Sequence, residues 1–253
     1  MLPDIKFAEY TLSQTVRELD RLVQNGEGHY ACFCEAKLFV SAWRDPALVE
    51  SLSSATHVFA DGVSVLLLAR LQGKAVPKRI PGPIVMPELC DFGQSRGYRH
   101  FFLGGEPGVA EALAEHLAIS FPEIQVVGTY TPPFTPFTEE DNESIHRAVE
   151  DANPDILWVG LGAPKQEYWI SSQRDKLSVP LVLGVGAAFD FHAGKKRWAP
   201  LWIRKIGMEW AFRMITGGPK TFFKNMKFVS VMFCALVAAV FERLLGKHKV
   251  NDE

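Results

Sequence analysis

Several residues in this chain have the types and spacing that chemistry requires. Ala60-Asp61-Gly62 places a lone carboxylate between an apolar pair, Val58-Phe59, and an apolar helical stretch, Val63–Leu71. Such an aspartate either caps the helix or stands at a pocket mouth as a general base for a hydroxyl. Downstream, Lys78-Arg79-Ile80-Pro81-Gly82-Pro83 is cationic and conformationally stiff, which suits an anionic ligand. Three apolar runs end in glycine turns. They are Phe102–Gly108 with Gly104 and Gly105, Val159–Glu167 with Gly162, Lys165 and Gln166, and Gly184–Asp190. Glycine lets backbone approach a diphosphate closely, and helix N-termini offer free N–H groups to it. Each turn alone reads as a tight structural turn. Three at one sheet edge point to a nucleotide or nucleotide-sugar pocket. Neither a G-x-G-x-x-G fingerprint nor a Walker A lysine motif is present.

The elements that would hold these residues alternate between strand and helix. Short apolar runs at Tyr30–Phe33, His100–Leu103, Ile124–Val127, Ile156–Leu161 and Leu181–Val185 read as buried strands. An edge strand is expected near Ile5–Ala8 or Val58–Phe59. In Gly108–Phe121, Val109, Leu113, Leu117 and Phe121 recur every four residues, while Glu111 and Glu115 face water. The pattern predicts an α/β, doubly wound Rossmann-like sheet with parallel central strands. Thr131–Thr138 is a proline-punctuated loop, a connector or a lid, after which Thr138 starts another helix as N-cap.

At 253 residues, 47% hydrophobic and 22% charged, the chain can bury one or two cores, and it is no disulfide miniprotein or multi-span membrane protein. Its four cysteines are too scattered for a disulfide framework; Cys32 and Cys34 read as buried thiols in a reducing, cytoplasmic setting. Met1–Thr11 lacks the apolar core of a signal peptide. His192 lacks a ligand partner at useful spacing and reads as structural or pocket-lining.

The net charge of -2 conceals a division. From Lys195 onward, 12 basic residues face 4 acidic ones, giving +8; the remaining 15 basic and 25 acidic residues give -10. That basic segment holds Trp198, Trp202 and Trp210, then Lys220, Lys224 and Lys227 on one helix face, then the apolar run Phe228–Phe241. The run is short for a spanning helix, so it is expected to lie at an interface or dock on protein. An anionic membrane surface fits cations, tryptophans and an apolar run together. Nucleic acid would leave the apolar run without purpose and is not expected as a partner.

Taken together, the segments resemble the WecG/TagA/CpsF family of bacterial glycosyltransferases. The resemblance is carried by Ala60–Ser64, Arg79–Pro83 leading to Met86-Pro87, Leu103–Val109, Gly160–Glu167, Gly184–Asp190 and Gly207–Trp210, in family order. It implies inverting transfer of a sugar from a UDP-sugar onto a polyprenyl-diphosphate-linked saccharide, for cell-surface polymers. It further implies residues 1–194 as the catalytic domain and 195–253 as a helical, membrane-associating appendage. The location implied is cytoplasmic, peripheral on the inner face of the bacterial membrane. Asp61 matches the family's base, and Arg79 and Gln166 match pocket positions for diphosphate and donor. Lys165, Gly104, Gly105, Gly162 and Asp190 join the substrate-binding set, with Arg204 and Arg213 toward a diphosphate. No Asp-x-Asp pair occurs, consistent with the family's metal-independent chemistry, and no cofactor is expected. The chain departs from the family at Phe33-Cys34-Glu35, where most members carry an asparagine. Glu35 is a second acid/base, a sugar-hydroxyl acceptor, or a partner of Lys37, and the departure bears on the identity of the donor sugar. Glycine turns alone would equally suit a nicotinamide-dependent oxidoreductase, and the tail a non-catalytic membrane scaffold.

Overall fold

The computed structural model describes residues 2–76, 78–133, 136–205, 208–216 and 230–240. Six strands form one parallel sheet: β1 (His29–Cys34), β2 (His57–Ala60), β3 (Arg99–Gly104), β4 (Gln125–Tyr130), β5 (Ile156–Gly160) and β6 (Leu181–Gly184), in the order β2-β1-β6-β5-β3-β4. The inner strands are mostly apolar, apart from His29 in β1 and Arg99-His100 in β3, because helices cover both of their faces. Val58 lies in edge strand β2, to which Phe7 adds a single parallel bridge rather than a strand of its own. β4, the other edge, is only half-buried and begins one residue later than the apolar run proposes.

One face of the sheet is covered by α2 (Ala36–Ala42), α3 (Pro46–Ser53), α4 (Val63–Leu71), α7 (Glu139–Ala152) and α8 (Lys165–Gln173). The other carries α1 (Leu12–Asn25), α5 (Gly82–Gln94), α6 (Val109–Ser120) and α9 (Ala188–His192). In α6, Val109, Leu113 and Leu117 are buried and Glu111 and Glu115 are exposed, as their spacing predicts. Thr138 caps α7 through a reciprocal box with Asp141, so the acidic first turn both satisfies backbone N–H groups and opposes the helix dipole.

Two short helices follow the body, α10 (Leu201–Lys205) and α11 (Glu209–Thr216), and residues 230–240 form another helix. Met232, Ala235 and Ala239 of that last helix are buried and belong to the same core cluster as residues of α2, α4 and α8, whereas Phe233, Val237 and Val240 are exposed. The apolar run is therefore docked on protein along one stripe and bare along another. Among the described residues no helix is long and apolar enough to cross a membrane. Lys220, Lys224 and Lys227 lie outside the described residues, as do Phe134 and Thr135 of the proline-rich loop.

Candidate active site at the carboxyl edge of the sheet

Parallel strands deliver all their carboxyl ends to one edge, where the helices that follow begin. After β5 the chain turns to α8 on one face; after β3 and β6 it turns to α6 and α9 on the other. Loops that part in this way open a crevice lined by helix N-termini, whose N–H groups favour anions.

Two backbone hydrogen bonds assemble the chemistry at the β1–β2 end of this edge. Asp61 N donates to Cys34 O (3.1 Å), and Ile80 N donates to Ala60 O (2.7 Å). The first sets Asp61 beside Glu35, and the second brings Arg79 alongside, although 18 positions separate Arg79 from Asp61 in sequence. Asp61 is not the N-cap of α4: that position belongs to Gly62, in extended conformation. The capping alternative is thereby corrected: the N-cap position falls one residue after Asp61. Glu35 is the N-cap residue of α2 without a side-chain cap bond. Its suggested partner Lys37 instead donates through Nζ to Ala163 O (2.7 Å), tying α2 to the loop before α8.

That loop, Gly160–Pro164, is shaped from inside. Gln166 is 3% exposed; its Oε1 accepts from Gly162 N (3.2 Å) and its Nε2 donates to Glu167 Oε1 (2.7 Å). Its carboxamide also lies where side chains at Gly184 and Gly186 would stand. Gly104 adopts φ +120°, and a Cβ there would fall 2.7 Å from the Gly160 carbonyl carbon, so strand-end packing demands glycine. Gly105 is likewise close-packed, against Val109. Gly162, at φ +80°, has nothing within 4 Å of a would-be Cβ and faces open space. Lys165 starts α8 and also lines an open groove of about 660 Å³ between α3, α7 and α8. Among the sequence-derived candidates it alone lines that groove, so the groove is separate from the Asp61 cluster.

Glu167 escaped the sequence reading as a candidate. Its carboxyl is fully buried and pushed up to about 7, chiefly by burial, with the charge of Glu35 adding to it; bonds to Gln166 and to its own backbone, and Lys37, act in the opposite sense. A polar pair, Gln166-Glu167, just ahead of the buried Trp169 and Ile170 on α8 was the available signal. Cys32 and Cys34 face the same region; both thiols are buried and held well above their usual range by desolvation, with Glu167 adding to it.

The segment after β6 builds the far wall. Asp190 accepts an ion pair from Lys196 Nζ (2.5 Å), and its carbonyl accepts from the backbone N–H groups of Lys195 and Lys196. It thereby organises the turn into the basic segment. His192 donates from Nε2 to Pro83 O (2.7 Å), a structural tie between α9 and α5. Trp198 stacks on Phe191 (5.5 Å) and carries the Arg204 guanidinium on its other contact, 3.9 Å from the ring centroid. Arg79 reaches this wall, its Nη2 donating to Arg204 O (2.7 Å) and its Nη1 pairing with Glu209 Oε2 (3.2 Å). Arg213 lies on α11, and its side chain is outside the described residues.

The chain is thus a doubly wound α/β protein with a carboxylate, a guanidinium and glycine turns at its carboxyl edge, the edge at which open α/β sheets bind their ligands. Within this fold class, the chain belongs to the family described as the glycosyl transferase WecG/TagA/CpsF family, whose model matches residues 1–248. Similar curated proteins are N-acetylglucosaminyldiphosphoundecaprenol N-acetyl-beta-D-mannosaminyltransferases. The one from Bacillus subtilis (strain 168) is 28% identical over 69% of this chain and 66% of its own. That from Bacillus spizizenii is 26% identical over 84% and 81%, and that from Staphylococcus aureus (strain MRSA252) 28% over 67% and 65%. The matched stretches thus span about two thirds of two of these relatives and four fifths of the third.

Proposed function

We propose that this glycosyltransferase moves a sugar from a UDP-sugar onto a polyprenyl-diphosphate-linked saccharide, with inversion and without a metal ion, in cell-surface polymer synthesis. The observation that supports the reading is that backbone hydrogen bonds bring the Asp61 and Arg79 segments together at the carboxyl end of β2. Asp61 takes the proton of the acceptor hydroxyl as that oxygen attacks the anomeric carbon from the face opposite UDP. Arg79 and the N-termini of α6 and α8 stabilise the departing diphosphate, a task that sequences using a metal assign to an Asp-x-Asp pair missing here. Lys165 adds charge, and Gln166 serves the donor through the loop it holds, with Gly162 offering close backbone approach. Glu35 accepts a hydrogen bond from a sugar hydroxyl and sets the donor preference. Asp190 shapes the wall that carries Arg204, which serves a diphosphate, and Arg213 is assigned the same task.

The names of the relatives support an N-acetylglucosaminyl-diphospholipid acceptor. The exposed Leu201, Trp202, Ile215 and Phe233 support a peripheral position on the inner leaflet, where such a lipid is met. Residues 1–194 then form the catalytic body and 195–253 the appendage.

Asp61→Asn tests the base. The variant should fold and bind UDP as the parent does, while turnover falls about 10²–10⁴-fold, the usual worth of a positioned base. Turnover within a few-fold of the parent would remove Asp61 from that role. Thermal stabilisation by NAD(H) rather than UDP would favour an oxidoreductase instead.

A further inference from the structure

Gly207-Met208-Glu209-Trp210 is a family segment to which the reading above gives no task. In the structure Glu209 opens α11, and its carboxylate joins two groups that are distant in sequence. Oε2 accepts from Arg79 Nη1 (3.2 Å), and Oε1 accepts from Trp198 Nε1 (3.0 Å). Arg79 is held at a second point by Arg204 O (2.7 Å). Both restraints come from elements beyond Lys195, while the backbone of the Arg79 segment is fastened to the end of β2. The guanidinium and the carboxylate are each about one-fifth exposed, so the pair sits at the wall rather than in bulk water.

Arginine is a long side chain with many rotamers, and a ligand that must order it loses affinity in doing so. A planar fork pinned along one side before the ligand arrives keeps its other N–H groups for phosphate oxygens. We propose that Glu209 is the positioning residue that presents Arg79 to the donor's diphosphate, making α11 a working part of the carboxyl-edge site. The proposal rests on the reading that Arg79 meets the anionic leaving group.

The test is a double-mutant cycle on the full chain, with UDP titrated calorimetrically at constant ionic strength. Glu209→Gln keeps a carbonyl for Trp198 but turns an amide donor toward Arg79. It should weaken UDP about tenfold, as should Arg79→Ala, and the double variant should be no weaker than Arg79→Ala alone. Nitrogen NMR of the Arg79 guanidinium should show hindered Nη rotation in the parent and faster rotation in Glu209→Gln. Trp198→Phe, which keeps an aromatic ring against Phe191 while removing the donor to Oε1 and part of the surface under Arg204, should give a smaller loss that again vanishes without Arg79. Unchanged or tighter UDP binding in Glu209→Gln overturns the proposal. So does an equal loss with and without Arg79, since that would make Glu209 merely structural. If Arg79→Ala binds UDP as the parent does, the assignment of Arg79 itself falls, and the role of Glu209 with it.

Discussion

A carboxylate that removes a proton from a sugar hydroxyl has to be ionised beforehand, and a carboxyl that only supports a loop has no such need. Glu167 is of the second kind: whereas Asp61 is partly exposed at the strand ends, Glu167 is sealed over β1 and pushed up to about 7 by burial. Because its folded value is raised, the folded protein holds this proton more tightly than the unfolded chain does. Stability then declines as pH rises from the ordinary carboxylate range toward 7, and the full cost is present above it. The shift corresponds to roughly 3 kcal/mol as an upper figure, at about 1.4 kcal/mol per unit. Glu167→Gln keeps the carbonyl that accepts from Gln166 and deletes the titration. Denaturant unfolding at pH 5 and pH 8 should show the variant gaining on the parent by up to about 3 kcal/mol across that interval. Parallel pH dependences for the two proteins would show that Glu167 is not the group responsible. The Asp61 signal was readable because a lone acid between apolar segments is conspicuous. Glu167 was harder to read, because a Gln-Glu pair ahead of apolar helix positions signals a buried polar group only weakly.

At the scale of elements, glycines at strand ends do two different jobs that composition does not separate. Gly104 meets the Gly160 backbone, and Gly162 meets nothing. Gly104→Ala combines an unfavourable φ with a clash against main chain that cannot swing aside, and should cost about 2–4 kcal/mol of stability. Gly162→Ala adds only left-handed strain, about 1–2 kcal/mol, but places a methyl where the donor is proposed to approach. Thermal melts and UDP titration separate them: Gly104→Ala should lose melting temperature first, and Gly162→Ala should lose a larger share of UDP affinity. Equal behaviour of the two would undo the distinction. The strands that hold these turns were legible as apolar runs because parallel strands buried on both faces leave no room for polar alternation. β4 was less so, since an edge strand carries Thr129 and Tyr130 where inner strands carry leucine and valine. The span of α4, Val63–Leu71, was legible from its apolar run, although Gly62 and not Asp61 takes the N-cap position.

For the whole molecule, the division of charge near Gly194 is not a division into independent parts. Arg79 of the body is fastened by Arg204 and Glu209, and Met232, Ala235 and Ala239 complete a core begun by α2 and α4. No sequence pattern pairs positions 79 and 209, which is why Arg204 and Arg213 were read toward the site while the tie through Glu209 was not. Removing residues 195–253 would therefore uncover core and loosen Arg79 together, and any loss of membrane binding would be confounded by both. A finer cut is available on the helix over residues 230–240. Its buried stripe holds it to the body, and the opposite stripe of Phe233, Val237 and Val240 is 67%, 50% and 44% exposed. Burying a phenylalanine and a valine in a lipid interface is worth about 1.5–3 kcal/mol each at full burial. Half of that already exceeds the 1.4 kcal/mol of a tenfold change. The double variant Phe233→Ser/Val237→Ser should therefore partition at least tenfold less onto phosphatidylglycerol vesicles while melting as the parent does. The basic residues of the tail add an attraction that salt screens, so the parent's binding should also weaken as sodium chloride rises from 0.1 to about 0.5 M. Partitioning that ignores the double substitution would leave charge alone to hold the protein at the bilayer; partitioning that ignores salt as well would end the membrane reading.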